Sequence, residues 1–227
     1  MSAEAIAAAR PSALAERYLE AIYYIEHEGE AARPGRLAEW LGVSAPTATV
    51  NLQRLARDGW VRTGPDHGVQ LTEEGARAAT EIVRRHRILE RWLTDTLGLD
   101  WATADREAAA LAHGVSPLVL ERIDATLGHP STCPHGNVIP GRAPPRGGHL
   151  RRLTELDPGD RGRVARISEV AEHDAPHLLA TLSAHMLYPG AEVEVLERGG
   201  HRLDAGTGPF AIDGLVARAV WVTVQSD

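Results

Sequence analysis

The chain lacks lysine altogether and has little of several other residue types. All 24 of its basic residues are arginine, against 31 acidic residues, so the net charge is −7. A single cysteine, Cys133, excludes an intramolecular disulfide. No apolar run reaches the roughly 18 residues that a membrane helix needs, and no charged start followed by an apolar stretch marks a signal peptide. We therefore expect a cytoplasmic protein without a membrane partner.

The acidic balance weakens the case for a nucleic-acid partner but does not exclude one. Binding to DNA depends on the phosphates that are actually contacted, so a local basic face is sufficient. With 227 residues and an apolar share of 43%, the chain is long enough for one large domain or two to three small ones with packed cores.

The N-terminal third has the element order of a winged helix-turn-helix. Apolar residues recur at helical spacing in residues 11–27, and residues 36–43 predict a second, short helix. Ser44 can cap a third helix that has Pro46 in its first turn. Residues 60–72 contain two short apolar runs around a Gly-Pro-Asp-His-Gly turn, which is typical of a β-hairpin. This order predicts a DNA-binding domain.

A helical region follows the hairpin. The pattern predicts a long helix from Thr72 to about Leu97 and two shorter helices, about 101–113 and 116–127, with apolar faces that can pack on a second subunit. The stretch from 129 to 148 is rich in Pro and Gly and predicts an irregular connection that ends in a linker.

The last part of the chain changes to the period of strands. RVARIS, AEVEVLER and LVARAVWVTV alternate as strands do, with a glycine-rich loop near 199–208. APHLLATLSAHMLYPG is helical in pattern. Together these segments predict a small β-barrel with one inserted helix.

Within the long helix, the stretch VRRHRILERW places His86 and Glu90 four residues apart, on one face. Taken alone, this spacing fits half of a metal site and also fits a solvated pair on a charged helix. The solvated pair is the simpler interpretation.

Several blocks of the chain bear on this choice: RYLEAIYYIEHEG, RLAEWLGVSAPTATVNLQRLARDGWV, RRHRILERWLTDTLGLD, CPHGNVIPG and DPGDRGRVARIS with YPGAEVEVLER. In this order they resemble the diphtheria-toxin-repressor family of metal-dependent transcriptional regulators, over roughly residues 11–225. The resemblance implies a mainly α chain with small β parts. The implied domains are a winged helix-turn-helix (1–75), a helical dimerisation and metal-binding domain (76–141), a Pro/Gly-rich linker (142–150) and an SH3-like, FeoA-like β-barrel (151–227).

The start of the third helix would read DNA, because the first residues of a recognition helix face the base edges. The predicted base-reading residues are Ser44, Ala45, Pro46, Thr47, Thr49 and Val50. The predicted phosphate contacts are Arg33, Arg36, Arg54, Arg57 and Arg62. Because few of these side chains form specific hydrogen bonds with bases, we expect specificity to depend on apolar contacts, bound water and DNA shape.

The resemblance also implies an ancillary metal site, and its predicted ligands are His86, Glu90, Asp105, Asp174 and His177. Asp105 stands where many relatives have a histidine. The match around Asp174 needs a one-residue gap, so Glu172 or His173 could be the ligand instead. Imidazole and carboxylate together suit Mn²⁺ or Fe²⁺, and Zn²⁺ or Co²⁺ can substitute.

The family's primary site is altered in this chain. His113 and Glu20 match ligand positions, but Arg17, Ala109 and Ala112 occupy positions where the family has ligands, and neither alanine nor a guanidinium can ligate a metal. Three interpretations stay open. The ancillary-type site alone senses metal, Arg17 replaces the metal by pairing with an acid such as Glu20, or another small molecule uses the pocket.

The CPHGN loop receives a plainer interpretation. We expect His135 to be a turn residue and Cys133 to be a small buried side chain. A zinc site in this loop would need two more ligands, which the loop does not supply.

The implied function is a metal-responsive repressor of iron or manganese homeostasis genes that binds double-stranded operator DNA as a homodimer. The alternative is a DNA-binding regulator of the same fold that is metal-independent or responds to another effector. A further possibility is that the SH3-like domain mainly mediates protein contacts. No HExxH motif, nucleophile elbow or phosphate-binding glycine loop accompanies the histidines, so we predict no enzymatic activity.

Overall fold

A computed structural model of the chain describes residues 10–64, 68–145, 148–175 and 177–224. The chain forms two compact units, residues 1–85 and 86–227. Among the described residues, no helix combines the length and the apolar character that crossing a membrane requires.

The first unit is a winged helix-turn-helix, as predicted. Its elements are α1 (Ala13–His27), α2 (Pro34–Leu41), α3 (Ala45–Arg57), β1 (Val61–Thr63), β2 (Val69–Leu71) and the first part of α4 (Glu73–Asp95). Strands β1 and β2 pair antiparallel. The turn predicted between them includes residues 65–67, which lie outside the described residues.

Local signals in the sequence set the helix boundaries of this unit. Gly42, with φ +64°, ends α2 in the left-handed conformation that glycine adopts readily. The Ser44 hydroxyl accepts a hydrogen bond from the backbone N–H of Thr47 and so caps α3. The buried side of α1, which includes Tyr18, Leu19 and Ile22, forms part of the core.

The hairpin is fixed to the start of α4 by a close backbone approach. The Thr72 hydroxyl donates to the carbonyl of Gly59 (2.7 Å) and accepts from the N–H of Gly75 (3.0 Å). A Cβ at Gly75 would lie 1.9 Å from the carbonyl oxygen of Trp60. The glycine is therefore required for this contact.

The helical part of the second unit contains the rest of α4, α5 (Trp101–Ala112) and α6 (Pro117–Thr126). Asp100 caps α5 and Ser116 caps α6, each by accepting from a backbone N–H. Their apolar core is completed by Ile139 from the following loop. Leu118 and Val119 on α6 are exposed, at 61% and 49%.

The SH3-like part is an antiparallel six-stranded sheet in the order β3-β8-β4-β5-β6-β7. Its strands are β3 (Leu150–Arg152), β4 (Arg161–Ile167), β5 (Glu192–Val195), β6 (Arg202–Asp204), β7 (Pro209–Ala211) and β8 (Val220–Val224). A 3₁₀ turn (Leu153–Glu155) follows β3, and the helices are α7 (Glu169–Asp174), α8 (Leu178–Ala184) and α9 (Gly214–Ala219).

This part has more elements than the pattern predicts. The predicted strand LVARAVWVTV is half wrong, because its first residues belong to helix α9. The Asp213 carboxylate accepts from the N–H groups of Leu215 and Val216 and so starts a helix where alternation alone suggests a strand. Helix α7 precedes the single predicted helix, and β6 lies within the predicted glycine-rich loop near 199–208.

We predict that Gly75→Ala destabilises the first unit, because its Cβ would overlap the Trp60 carbonyl oxygen. The matched control is Gly35→Ala in α2, where an added Cβ meets nothing within 4 Å. Thermal unfolding followed by circular dichroism should show a lower Tm for Gly75→Ala and an unchanged or slightly higher Tm for Gly35→Ala. Equal Tm values for the two variants would contradict the close approach.

Candidate metal centre

The centre begins on α4 within the second unit. His86 and Glu90, one turn apart, are only 8% and 2% exposed. The pair is therefore not a solvated pair on a charged helix. A buried carboxylate needs a positive partner, because desolvation of its charge is costly.

The second contribution comes from α5. The Nε2 atom of His86 lies 3.1 Å from the Oδ1 atom of Asp105, which is partly exposed. Three predicted ligands, His86, Glu90 and Asp105, thus lie in one region.

The CPHGN loop contributes two side chains. The N–H of Gly136 donates to the carbonyl of Cys133, and the N–H of Cys133 donates to the carbonyl of Asn137 (2.9 Å), which closes a tight turn. Gly136 has φ +83°, and a Cβ there would lie 2.1 Å from the carbonyl oxygen of Ala165 on β4. The turn therefore packs directly on the sheet, with Cys133 and His135 buried beside it.

His135 faces the carboxyl groups of two glutamates. Its Nδ1 atom is 2.9 Å from Oε1 of Glu90 and 3.4 Å from Oε2 of Glu172, which belongs to α7. The ring of Trp101 meets the imidazole edge-to-face, with centroids 4.6 Å apart. The Nε2 atom of His135 is buried and has no hydrogen-bond partner among the residues that the structure describes.

The protonation states of Glu90, His135 and Glu172 depend on one another. Burial opposes ionisation of Glu90, but the positive charge of His135 outweighs it and lowers the pKa of Glu90 to about 2. Burial opposes the charged form of His135 as well, but Glu90 and Glu172 raise its pKa to about 9. Burial raises the pKa of Glu172 to about 8, against the attraction of His135. The imidazolium therefore occupies the position of a cation between two carboxyl groups.

A second ion pair lies beside the centre. The guanidinium of Arg87 donates to both carboxylate oxygens of Glu169 (2.9 and 2.8 Å) and to the carbonyl of Val138. Arg87 is 5% exposed. Glu169 and Glu172 are three residues apart on α7, so the ion pair fixes the helix that carries Glu172.

The other predicted ligands lie elsewhere. His177 is exposed and its Nε2 atom is 2.8 Å from Oδ2 of Asp213, and Asp174 is exposed at the end of α7. Of the alternatives for this segment, Glu172 is the one beside His135, whereas His173 is exposed. The SH3-like domain thus contributes Glu172 to the candidate centre, two positions before the predicted Asp174.

The predicted primary-site residues lie in both units. In the first unit, the Glu20 carboxylate accepts from the Tyr24 hydroxyl, and Arg17 donates to the carbonyl of Leu41 at the end of α2. In the second unit, His113 is exposed at the C-cap of α5.

The predicted DNA-reading residues are all on the surface of α3 or at its N-cap. The exposed residues are Ser44, Ala45, Pro46, Thr47, Thr49 and Val50. Arg33, Arg54, Arg57 and Arg62 are exposed as well, and Arg36 is half-buried. Arg54 is 3.8 Å from Asp58, and Arg36 is 3.7 Å from Glu30, so both have carboxylate partners of the kind expected on a solvated surface.

The sequence interpretation missed two residues of the centre, Cys133 and His135. His135 does lie in a turn, but its side chain points inward, and Cys133 is buried as expected. The further donors that a metal site at this loop would need come from other elements. A count of the donors within the loop therefore could not reveal them. Among the described residues, Glu90, Cys133 and His135 form a group whose potential ligand atoms lie within 4.8 Å of one another.

Comparison with known proteins gives matches to three family descriptions. Residues 12–69 match the N-terminal DNA-binding domain of iron-dependent repressors, residues 72–141 match their metal-binding and dimerisation domain, and residues 151–224 match a FeoA domain.

Individual relatives agree with these matches. The chain is 38% identical to the iron-dependent repressor IdeR of Mycobacterium tuberculosis, over 70% of this chain and 72% of the relative. It is 34% identical to the diphtheria toxin repressor of Corynebacterium diphtheriae, over 82% and 85%.

Solved structures are similar over nearly the whole chain. A manganese-dependent transcriptional repressor in complex with manganese matches with a TM-score of 0.81 at 34% identity, over 93% of this chain and 100% of that structure. IdeR of T. acidophilum matches with a TM-score of 0.75 at 25% identity, over 92% and 97%.

We predict that Arg87→Met destabilises the protein by about 3–5 kcal/mol, because it leaves the Glu169 carboxylate buried without its partner. The matched control is Arg163→Met, which removes an exposed pair with Glu192 and should cost about 0–1 kcal/mol. Urea unfolding measures both free energies. Similar losses for the two variants would contradict the importance of the buried pair.

The pKa values of His135 and Glu172 predict how stability changes with pH when chelator is present. The pKa of His135 is raised from 6.5 to about 9, so its contribution is complete below pH 6.5 and is lost as pH rises through 9. The raised pKa of Glu172 acts in the same direction up to pH 8. Urea midpoints should therefore fall between pH 6.5 and 9. The fall should be smaller in His135→Gln, and a rise in the unmodified protein would contradict the assignment.

Proposed function

The chain belongs to the iron-dependent repressor family of metal-dependent transcriptional regulators, and we propose that it represses iron or manganese homeostasis genes in response to a divalent metal ion. The observation that carries this proposal is the buried cluster of donors around Glu90. It contains His86 and Glu90, which the family resemblance assigns to an ancillary metal site, and it combines imidazole with carboxylate groups.

The donors of the cluster fit such an ion. The Nδ1 atom of the buried His135 faces Glu90 and Glu172, whereas its Nε2 atom has no hydrogen-bond partner among the described residues, which costs roughly 1–3 kcal/mol while it is left unpaired. We propose that His86, Glu90, Asp105 and Glu172 hold the ion, with Glu172 in place of Asp174 and His177. A bound dication would supply the positive charge that balances these carboxylates.

The metals named for the relatives guide the choice of ion. Iron is named for the repressor of M. tuberculosis, and manganese for the structural relative. We propose Mn²⁺ or Fe²⁺ as the physiological ion, with Zn²⁺ or Co²⁺ as substitutes, because imidazole and carboxylate bind all four.

The proposed ligands come from three different helices, so a bound metal ion would hold these helices together. His86 and Glu90 lie on α4, Asp105 on α5 and Glu172 on α7. A metal ion that binds one arrangement of these elements more tightly than another shifts the equilibrium toward the first. The size of this shift is limited by the difference in metal affinity between the two arrangements. We propose that this arrangement is the DNA-competent one.

DNA binding is assigned to the first unit. We propose that α3 enters the major groove with its exposed N-terminal residues toward the bases, and that Arg33, Arg36, Arg54, Arg57 and Arg62 contact phosphates. The exposed apolar residues of α6 support a homodimer that presents two such helices to an operator.

Other parts of the assignment follow from the family. We propose the bounds 1–75, 76–141, 142–150 and 151–227 for the winged helix, helical, linker and SH3-like segments. Since repressors act on the chromosome, we infer that the chain works in the cytoplasm. We also infer that the metal centre is regulatory and that the chain catalyses no reaction.

A second function is favoured by one observation. The raised pKa of His135 places an imidazolium between Glu90 and Glu172, where it can replace the charge of a metal ion. A regulator of this kind would keep its DNA-competent arrangement in chelator. The position of Arg17, where the family has a metal ligand, is consistent with a regulator that is independent of metal or responds to another effector.

Fluorescence anisotropy distinguishes the two functions. The labelled DNA is taken from the region upstream of the gene that encodes this chain. Binding is measured at fixed salt in chelator and then with Mn²⁺, anaerobic Fe²⁺ or Zn²⁺. We predict tight binding only with metal, and a loss of at least tenfold in metal-stimulated affinity for His86→Ala. His149→Ala, an exposed histidine outside the centre, is the matched control. Equally tight binding in chelator would contradict the metal-responsive function and support the second one.

A further inference from the structure

We propose that Asn51 is a positioning residue for DNA recognition, and that it acts through a hydrogen bond to Tyr18 that sets the rotation of the recognition helix α3 about its own axis. The inference rests on the DNA-binding function proposed above. It adds to that function, because neither Asn51 nor Tyr18 belongs to the predicted DNA-reading residues.

The inner face of α3 holds the helix on the core mainly through apolar side chains. Ala48, Leu52 and Leu55 are buried on this face. Burial of apolar surface is favourable but has no preferred direction, so it fixes the distance of α3 from the core better than the rotation of the helix. A hydrogen bond depends on angle as well as on distance. The rotation therefore depends on the polar contacts that the same face makes.

Asn51 supplies such a contact from the middle of the inner face. It is half-buried and lies three residues after Ala48 and four before Leu55. Its Nδ2 atom donates to the hydroxyl oxygen of Tyr18 on α1, 3.1 Å away. Asparagine is a poor helix former, because its amide competes for backbone hydrogen bonds. The bond to Tyr18, and not helix propensity, therefore accounts for an asparagine at the centre of α3.

Tyr18 gives this bond a fixed reference point. Its side chain is 0% exposed, and the neighbouring Leu19 and Ile22 on α1 are buried to the same extent. Close packing of this kind leaves a phenol ring little room to move. Because the ring is fully buried, its hydroxyl cannot touch DNA. Any effect of that hydroxyl on DNA binding is therefore indirect.

A small rotation of α3 is enough to disturb base contacts. Side chains extend to about 5–6 Å from a helix axis, so a rotation of about 10° moves their ends by about 1 Å. Binding groups need to be held within about 0.5 Å of their productive positions. Val50, next to Asn51, is 62% exposed and would be displaced by such a rotation. Arginine contacts to phosphates carry no sequence information, so loss of the bond should weaken specific binding more than non-specific binding.

Three variants form a double-mutant cycle that tests the proposal. Tyr18→Phe removes the buried hydroxyl, Asn51→Leu removes the amide, and the double variant replaces both partners by apolar groups of similar shape, which should leave the Tm nearly unchanged. We expect each variant to bind the upstream DNA about three- to tenfold more weakly, the loss that corresponds to one hydrogen bond. The losses should not add in the double variant. Affinity for mixed-sequence DNA of equal length should stay unchanged.

The matched control is Tyr24→Phe. It removes another hydroxyl from α1, but that hydroxyl donates to Glu20 on the same helix and not to α3. The control should bind both DNAs as the unmodified protein does. Anisotropy is measured in the condition, metal or chelator, in which the unmodified protein binds most tightly, and Tm is measured by circular dichroism.

The outcomes separate a positioning role from other roles. A lower Tm with unchanged specific affinity would indicate a purely structural bond and overturn the proposal. A loss in Asn51→Leu that Tyr18→Phe does not share would indicate direct contact of Asn51 with DNA, and would overturn it as well. Equal affinities of all the variants and the unmodified protein contradict only the positioning role, whereas an unmodified protein that binds no DNA contradicts the proposed function too.

Discussion

The second unit depends on one buried ring, the imidazole of His135. Its Nδ1 atom contacts the carboxyl groups of both Glu90 and Glu172, which come from the helical part and from the SH3-like part. Without the imidazolium, the buried Glu90 carboxylate would lose its hydration without a compensating charge. Arg87 repeats the arrangement with Glu169, one turn before Glu172. The Arg87–Glu169 ion pair and the contact of His135 with Glu172 therefore link the SH3-like part to the helices, and the candidate metal centre is built around His135.

Much of the fold could be predicted because its signals are local. Ser44 caps α3, and Gly42 ends α2, each through contacts within a few residues. The error in LVARAVWVTV shows the limit of periodicity. Alanine and valine in alternation suit both a strand and a short helix, and the decision comes from the Asp213 cap that precedes them.

The centre could be predicted only in part, for a different reason. His86 and Glu90 share a helix face, so their spacing is visible in the sequence. Cys133 and His135 gain their importance from Glu90, which lies far away in the chain, and no local pattern joins the two segments. From the sequence, Glu172 is one of two alternatives, because the match to the family is ambiguous by one residue. The fold of α7 shows that the Glu172 side chain faces the helices.

The close packing of Gly136 on Ala165 has a consequence for how such a chain can evolve. Any side chain at position 136 would push the loop away from the strand, since its first carbon would lie 2.1 Å from a carbonyl oxygen. All the donor atoms would still be present in the sequence, yet they would no longer converge. A regulator could thus lose its sensor through a residue that touches no ion, and an inventory of ligands would not detect that loss.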